Sequence, residues 1–209
     1  WKDPLKWIRK AEKDGFRRNV FCASLADVFE EKPELTPWRS DLFDLIRECY
    51  WLDWLLLTKR PENVIKHIEL AVGEDAEEVL SELDNVWIGT TAEDQEMAEE
   101  RVPILAQIPS RVRFLSCEPL LGHIGFNSTD ELRKGFEQMH WVIGGGESGI
   151  DARIHREEWE VSLLNQCRER NIPFFFKQHG DNDPDGDPAQ HHGGDLLQGQ
   201  RYHEFPMVN

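Results

Sequence analysis

The chain has 209 residues, 39% hydrophobic and 31% charged, with 24 Lys and Arg against 40 Asp and Glu for a formal charge of -16. That length can bury one sizeable core, and the acidic excess disfavours non-specific binding to nucleic acid or anionic membrane, both of which rely on positive surface. No apolar run of about 18 residues is present, so no membrane span is expected, and no signal peptide is visible.

The chain opens at Trp1 rather than Met, which leaves room for a preceding segment. Cys22, Cys49, Cys117 and Cys167 are widely spaced, with no C-x-x-C pair to suggest a zinc knuckle or redox motif. Their apolar neighbours predict buried thiols and a reducing, cytoplasmic setting.

Leu5, Ile8 and Ala11 fall at helical spacing, predicting an amphipathic helix that ends at Gly15. A strand follows over residues 19–24. Thr36 is read as the N-cap of the next helix, with Pro37 at its first position and Leu42, Leu45, Ile46 and Cys49 as its apolar stripe. A second strand over 54–57 runs into Thr58, Lys59, Arg60 and Pro61, and Pro61 opens a helix with Val64, Ile65 and Ile68 inward. An acidic helix over 74–83 precedes a third strand at 86–88.

Residues 94–108 read as a helix that Pro103 should kink or break. The fourth strand covers 112–115, and Ser128 or Thr129 caps a short helix after it. The fifth strand, Trp141, Val142 and Ile143, breaks into Gly144, Gly145 and Gly146 and then Glu147 and Ser148. A helix over 156–170 leads to a sixth strand at 173–176. Past Gly180 the chain is rich in Asp, Gly and Pro up to Gly199, predicting a long loop or partly disordered tail. We therefore expect one domain over 1–180 and a tail over 181–209.

Strand starts recur every 26 to 35 residues, the length of one strand plus one helix. Short apolar strands alternating with amphipathic helices predict an α/β fold with a parallel sheet. Six units fit an open doubly wound sheet or an incomplete TIM-like barrel, since a complete eight-unit barrel takes about 250 residues. In both, the ligand sits beyond the C-terminal strand ends.

Polar residues cluster at those ends: Ser24 and Asp27; Thr58, Lys59 and Arg60; Thr90 and Glu93; Ser116 and Glu118; Glu147 and Ser148; Lys177 and Gln178. Each alone could be a cap or turn residue, but together they predict one shared mouth. Lys59, Arg60 and Lys177 could hold a phosphate or carboxylate there, or pair with Asp27, Glu93, Glu118 and Glu147.

Gly144, Gly146 and Gly149 formally satisfy G-x-G-x-x-G, yet they sit in the fifth unit and well before the next helix. They predict a close backbone approach to a ligand, or a plain turn. Asp181, Asp183, Asp185 and Gly186 copy half a calcium loop, but His192 stands where the closing Glu belongs, so this reads as an acidic turn and no metal ligand is assigned. No nucleophile elbow, phosphate loop or zinc-protease helix is present.

Seven ordered phrases, NVFCASLADVFE, LLLTKRPENV, NVWIGTTAED, RFLSCEPLLGHI, WVIGGGESG, PFFFKQHG and GGDLLQGQRYHEFP, run through the chain. Together they resemble the phage "gene product 37/68" family. Full-length members carry, before the region seen here, three clustered cysteines similar to those of radical S-adenosylmethionine enzymes. The resemblance thus implies an incomplete parallel barrel, S-adenosylmethionine and a four-iron four-sulfur cluster, although this chain has no cysteine before Cys22.

The resemblance further implies Ser24 and Asp27 near the methionine end of the cofactor, and Thr90, Glu118 and Gly144, Gly145, Gly146 and Glu147 around its ribose and adenine. Thr58, Lys59, Arg60, Glu93, Ser116, Lys177 and Gln178 would line a substrate or anion site. The expected function is the core of a radical S-adenosylmethionine-like enzyme. The alternative is a non-catalytic nucleotide or S-adenosylmethionine binding module acting with a partner protein, and a weaker one is a hydrolase acting on phosphates through Lys59, Arg60 and Glu118.

Overall fold

The computed structural model describes residues 2–23 and 26–207. Helix α1 (Pro4–Asp14) starts on its proline and ends where left-handed Gly15 donates its N–H to the Ala11 carbonyl. Six βα-type steps follow, built on β1 (Arg18–Cys22), β2 (Leu52–Thr58), β3 (Val86–Thr91), β4 (Val112–Cys117), β5 (Trp141–Gly144) and β6 (Phe174–Phe176). Between them lie α2 (Thr36–Glu48), α3 (Val64–Val72), α4 (Ala76–Glu82), α5 (Gln95–Leu105), α6 (Asp130–Phe136) and α7 (Glu157–Glu169).

The strands form one sheet in the order β1-β2-β3-β4-β5-β6. This sequential order, with no reversal at a switch point, is that of an incomplete TIM-like barrel and not of a doubly wound sheet. The register pairs Phe21 with Leu55 between β1 and β2, Ser116 with Ile143 between β4 and β5, and Gly144 with Phe176 between β5 and β6, all parallel. No helix among the described residues is long and apolar enough to cross a membrane.

Three local expectations resolve differently. A 3-10 turn, Pro33–Leu35, runs directly into α2, so Thr36 is already helical and Leu35 holds the cap position without a side-chain bond. Thr129, not Ser128, caps α6 by accepting from the Leu132 N–H. Pro103 does not break α5, which runs on two residues past it to Leu105.

The chain divides into two compact units, Trp1–Gly89 with Gln107–Val112, and Thr90–Ala106 with Arg113–Asn209. The first buries Phe29, Phe43, Ile46, Leu52, Leu56, Ile68 and Ile88 completely or nearly so. The second does the same with Phe114, Phe126, Phe136, Phe174 and Phe176, and the Phe126 and Phe136 rings stack at 3.7 Å.

In the second unit the segment after β6 does more than loop. Residues 196–201 form a small antiparallel hairpin, β7 (Leu196–Leu197) with β8 (Gln200–Arg201). The chain then returns along β6, where the Phe176 N–H donates to Tyr202 and Phe175 bridges His203. That return covers the outer edge of β6, which would otherwise offer unpaired backbone groups.

A carboxylate lies inside the first unit. Asp53 on β2 is 5% exposed and pairs with Arg17 at 2.9 Å, while Arg17 and Arg111 both hold Asp84. Burial pushes the Asp53 carboxyl up from 3.8 to about 6, with Arg17 pulling the other way. Because the folded value is the higher one, the folded chain binds more protons across that window. The Asp53 contribution to stability therefore falls as pH rises from about 4 to about 6, by up to roughly 3 kcal/mol. Asp53→Asn keeps the shape without the charge, and Arg17 keeps Asp84. Urea unfolding at pH 4.5 and pH 7 should show the variant overtaking wild type at pH 7; a constant difference between the two pH values would contradict this.

Candidate functional site

Within each unit, strand-end residues pair with one another. In the first unit, Asp27 lies past β1 and accepts from the Phe29 N–H at 2.9 Å and the Thr58 hydroxyl at 2.8 Å with one oxygen. Its other oxygen takes the Lys59 N–H and the Arg60 guanidinium, both at 3.0 Å. Arg60 also donates its N–H to the Thr58 hydroxyl. Asp27, Thr58 and Arg60 thus hold one another, and Ser24 lies outside the described residues.

The other strand ends belong to the second unit. Arg101 of α5, which sequence reasoning did not single out, reaches back to β3 and donates to the Glu93 carboxylate and the Thr91 hydroxyl, both at 2.8 Å. Thr90 and Ser116 are buried in the sheet.

Glu118, after β4, meets Lys177, after β6, at 2.7 Å. The strand between them ends at Gly144, and the next residue, Gly145, lies close against the segment after β6: a Cβ there would lie 3.3 Å from the Gln178 carbonyl oxygen and 3.4 Å from the Lys177 Cβ. Burial raises the Glu118 carboxyl above its ordinary range against the pull of Lys177, while the Lys177 side chain is 54% exposed. Glu147 accepts three bonds from Arg153, at 2.7 to 2.9 Å, which hold its carboxyl down at about 2.

The glycine run is approached closely by protein. A methyl on Gly144 would overlap the Glu160 carboxylate, and one on Gly146 would overlap the His179 carbonyl and come 3.0 Å from the His155 ring. Gln178 clamps this turn, taking the Gly146 N–H on its backbone oxygen at 2.9 Å and donating its side-chain amide to the Gly146 carbonyl at 3.2 Å.

Beneath the run sits a buried cluster that sequence reasoning did not assemble. His155 precedes α7, Glu160 lies in its first turn, His179 follows β6, and Asp183 stands in the acidic turn. Both His155 Nδ1 and His179 Nδ1 lie against Asp183 Oδ2, at 2.7 and 2.8 Å. His155 Nε2 meets Glu160 Oε1 at 3.0 Å, and His179 Nε2 meets the Leu196 carbonyl at 2.8 Å. The side chains are 0 to 3% exposed.

Burial alone would lower the His155 imidazole, but its bonds to Asp183 and Glu160 outweigh that and raise it to about 9. Burial likewise would raise Asp183, yet the two imidazoles hold it well below the ordinary carboxylate range. Both Nδ1 atoms donate to Asp183 where it is ionised, while burial pushes the Glu160 carboxyl above its ordinary range against the pull of His155. Asp183 Oδ1 takes the Asp185 N–H, so Asp183 opens an Asx turn while its own carboxylate points inward.

Cys49, Cys117 and Cys167 are buried and Cys22 is half-buried. Burial raises all four thiols, Cys22 to about 11. No three of them come together among the described residues.

No curated protein and no solved structure matches the chain. A family model described as a protein of unknown function, DUF5131, does match, over residues 1–206, and the chain belongs to that family.

Proposed function

We propose that this chain is the ligand-binding core of a radical S-adenosylmethionine-like enzyme, with the ligand lying across the C-terminal ends of β3 to β6. The observation that carries the reading is the Glu118–Lys177 pair, a carboxylate and a half-exposed ammonium 2.7 Å apart at the strand ends. Such a pair suits a ligand with both a ribose and an amino-acid arm. Glu118 would accept from ribose hydroxyls, and Lys177 would hold the ligand carboxylate. The resemblance to the phage family supplies the cofactor class.

A four-iron four-sulfur cluster needs three thiolates, and the four cysteines of this chain do not fit it. No three of them come together among the described residues, and burial favours the thiol over the thiolate in each. Any cluster would draw its ligands from other residues. This same observation favours a second reading, a non-catalytic S-adenosylmethionine or nucleotide binding module that acts with a partner protein.

Calorimetry with S-adenosylmethionine, adenosine and ATP on this chain tests both. S-adenosylmethionine should bind, Lys177→Met should weaken it by roughly tenfold while sparing adenosine, and Glu118→Gln should weaken both by a similar factor. No binding of any of the three would remove both readings. With binding in hand, formation of 5'-deoxyadenosine by the complete reading frame under anaerobic reduction supports the enzyme, and its absence supports the module.

A further inference from the structure

We propose that His155, His179 and Asp183 form a binding site for one divalent transition-metal ion of the zinc class, which ties the segment after β6 to the rest of its unit. This does not rest on the function proposed above, since it involves neither Glu118 nor Lys177. The donor atoms of the three side chains lie within 4.8 Å of one another. They come from three separate places: the lead-in to α7, the end of β6, and the turn at Asp183.

The surroundings match what such an ion requires. A metal-binding imidazole usually donates its second ring N–H to a carboxylate or a backbone carbonyl, which fixes its tautomer and orientation. His155 Nε2 has Glu160 Oε1, and His179 Nε2 has the Leu196 carbonyl, so both Nδ1 atoms are left facing Asp183 Oδ2. The rings are also fixed by packing. Trp159 stands edge-on to His155 and Phe176 to His179, and the glycines at 186 and 193 let the chain close against the His179 Cβ. Two imidazole nitrogens with one carboxylate suit zinc, cobalt, nickel or iron better than magnesium or calcium, which prefer all-oxygen ligands.

Asp183 and Glu160 bring two carboxyl groups into a site closed to water, and Glu160 Oε2 has no hydrogen-bond partner among the described residues. An ion bound there takes the place of the protons on the two Nδ1 atoms: each nitrogen lone pair and Asp183 Oδ2 bond to it, and the displaced protons leave to solvent.

The test uses the whole chain, stripped with a chelator, dialysed, and titrated with Zn²⁺ or Co²⁺ in weak buffer. The expected result is one ion per chain, about two protons released per ion from the two displaced ring N–H groups, and visible Co²⁺ absorption of a low-coordinate site. Ion at a hundredfold excess over its Kd should raise the melting temperature by roughly 5–10 °C. His179→Gln with Asp183→Asn should abolish uptake, and His191→Ala with His192→Ala should leave it intact. Absence of saturable uptake by wild type overturns the proposal and leaves a purely protonic cluster. So does uptake that follows His191 and His192, and the wild-type titration decides alone where the buried variants fail to fold.

Discussion

Gly146→Ala is expected to cost about 3 kcal/mol or more, enough to leave much of the protein insoluble on expression. A methyl on Gly146 overlaps the His179 carbonyl and stands 3.0 Å from the His155 ring. Neither neighbour can give way. The backbone before His179 is fixed by the Gly146–Gln178 bonds, and the next residue, Gly180, is itself so close that a Cβ there would lie 2.5 Å from the Glu147 carbonyl. The His155 ring is held at both nitrogens. Gly122→Ala is the matched control, because a Cβ at Gly122 meets nothing within 4 Å and its φ is ordinary. Urea unfolding of the two variants should separate them widely, and equal midpoints would mean that the turn after β5 yields where the packing says it cannot.

The same turn shows how far the sequence can be read. Apolar runs ending in Thr58, Thr90, Cys117 and Gly144 announce strands, and their even spacing announces βα units, because both signals are local. Gly144, Gly145 and Gly146 likewise announce a close approach. What approaches is a tertiary fact: His155 arrives at Gly146 from nine residues away, Glu160 at Gly144 from sixteen, and His179 from beyond the next strand.

Composition also hides the role of residues 181–199, since Asp, Gly and Pro mark a loop whether or not its side chains turn inward. Among its carboxylates, Asp183 alone does so fully. Its neighbour Asp181 pairs with His192 at a half-open surface. The partners of the strand-end charges were legible in kind but not in pairing. Asp27 takes Arg60 from the adjacent strand end, whereas Glu93 takes Arg101 from a helix that periodicity alone gives no reason to aim at the sheet.

Asp183→Ala is expected to cost about 3–5 kcal/mol, measured by urea unfolding at neutral pH. The loss comes less from the contacts removed than from what remains. Two imidazole nitrogens would face a methyl group in a site closed to water, and the Asp185 N–H would lose its acceptor. With or without a bound ion, the two rings lose the carboxylate they share. Asp183→Asn should cost less, because an amide oxygen can still accept from the rings if its nitrogen turns toward Asp185. Asp181→Ala sets the scale for an exposed carboxylate two positions away, with a much smaller expected cost. The damage should concentrate in the segment that Asp183 anchors, so limited proteolysis of Asp183→Ala should cut within residues 181–199 before any other site. An Asp183→Ala protein as stable and as protease-resistant as Asp181→Ala would show that the buried histidines hold this segment without their shared carboxylate.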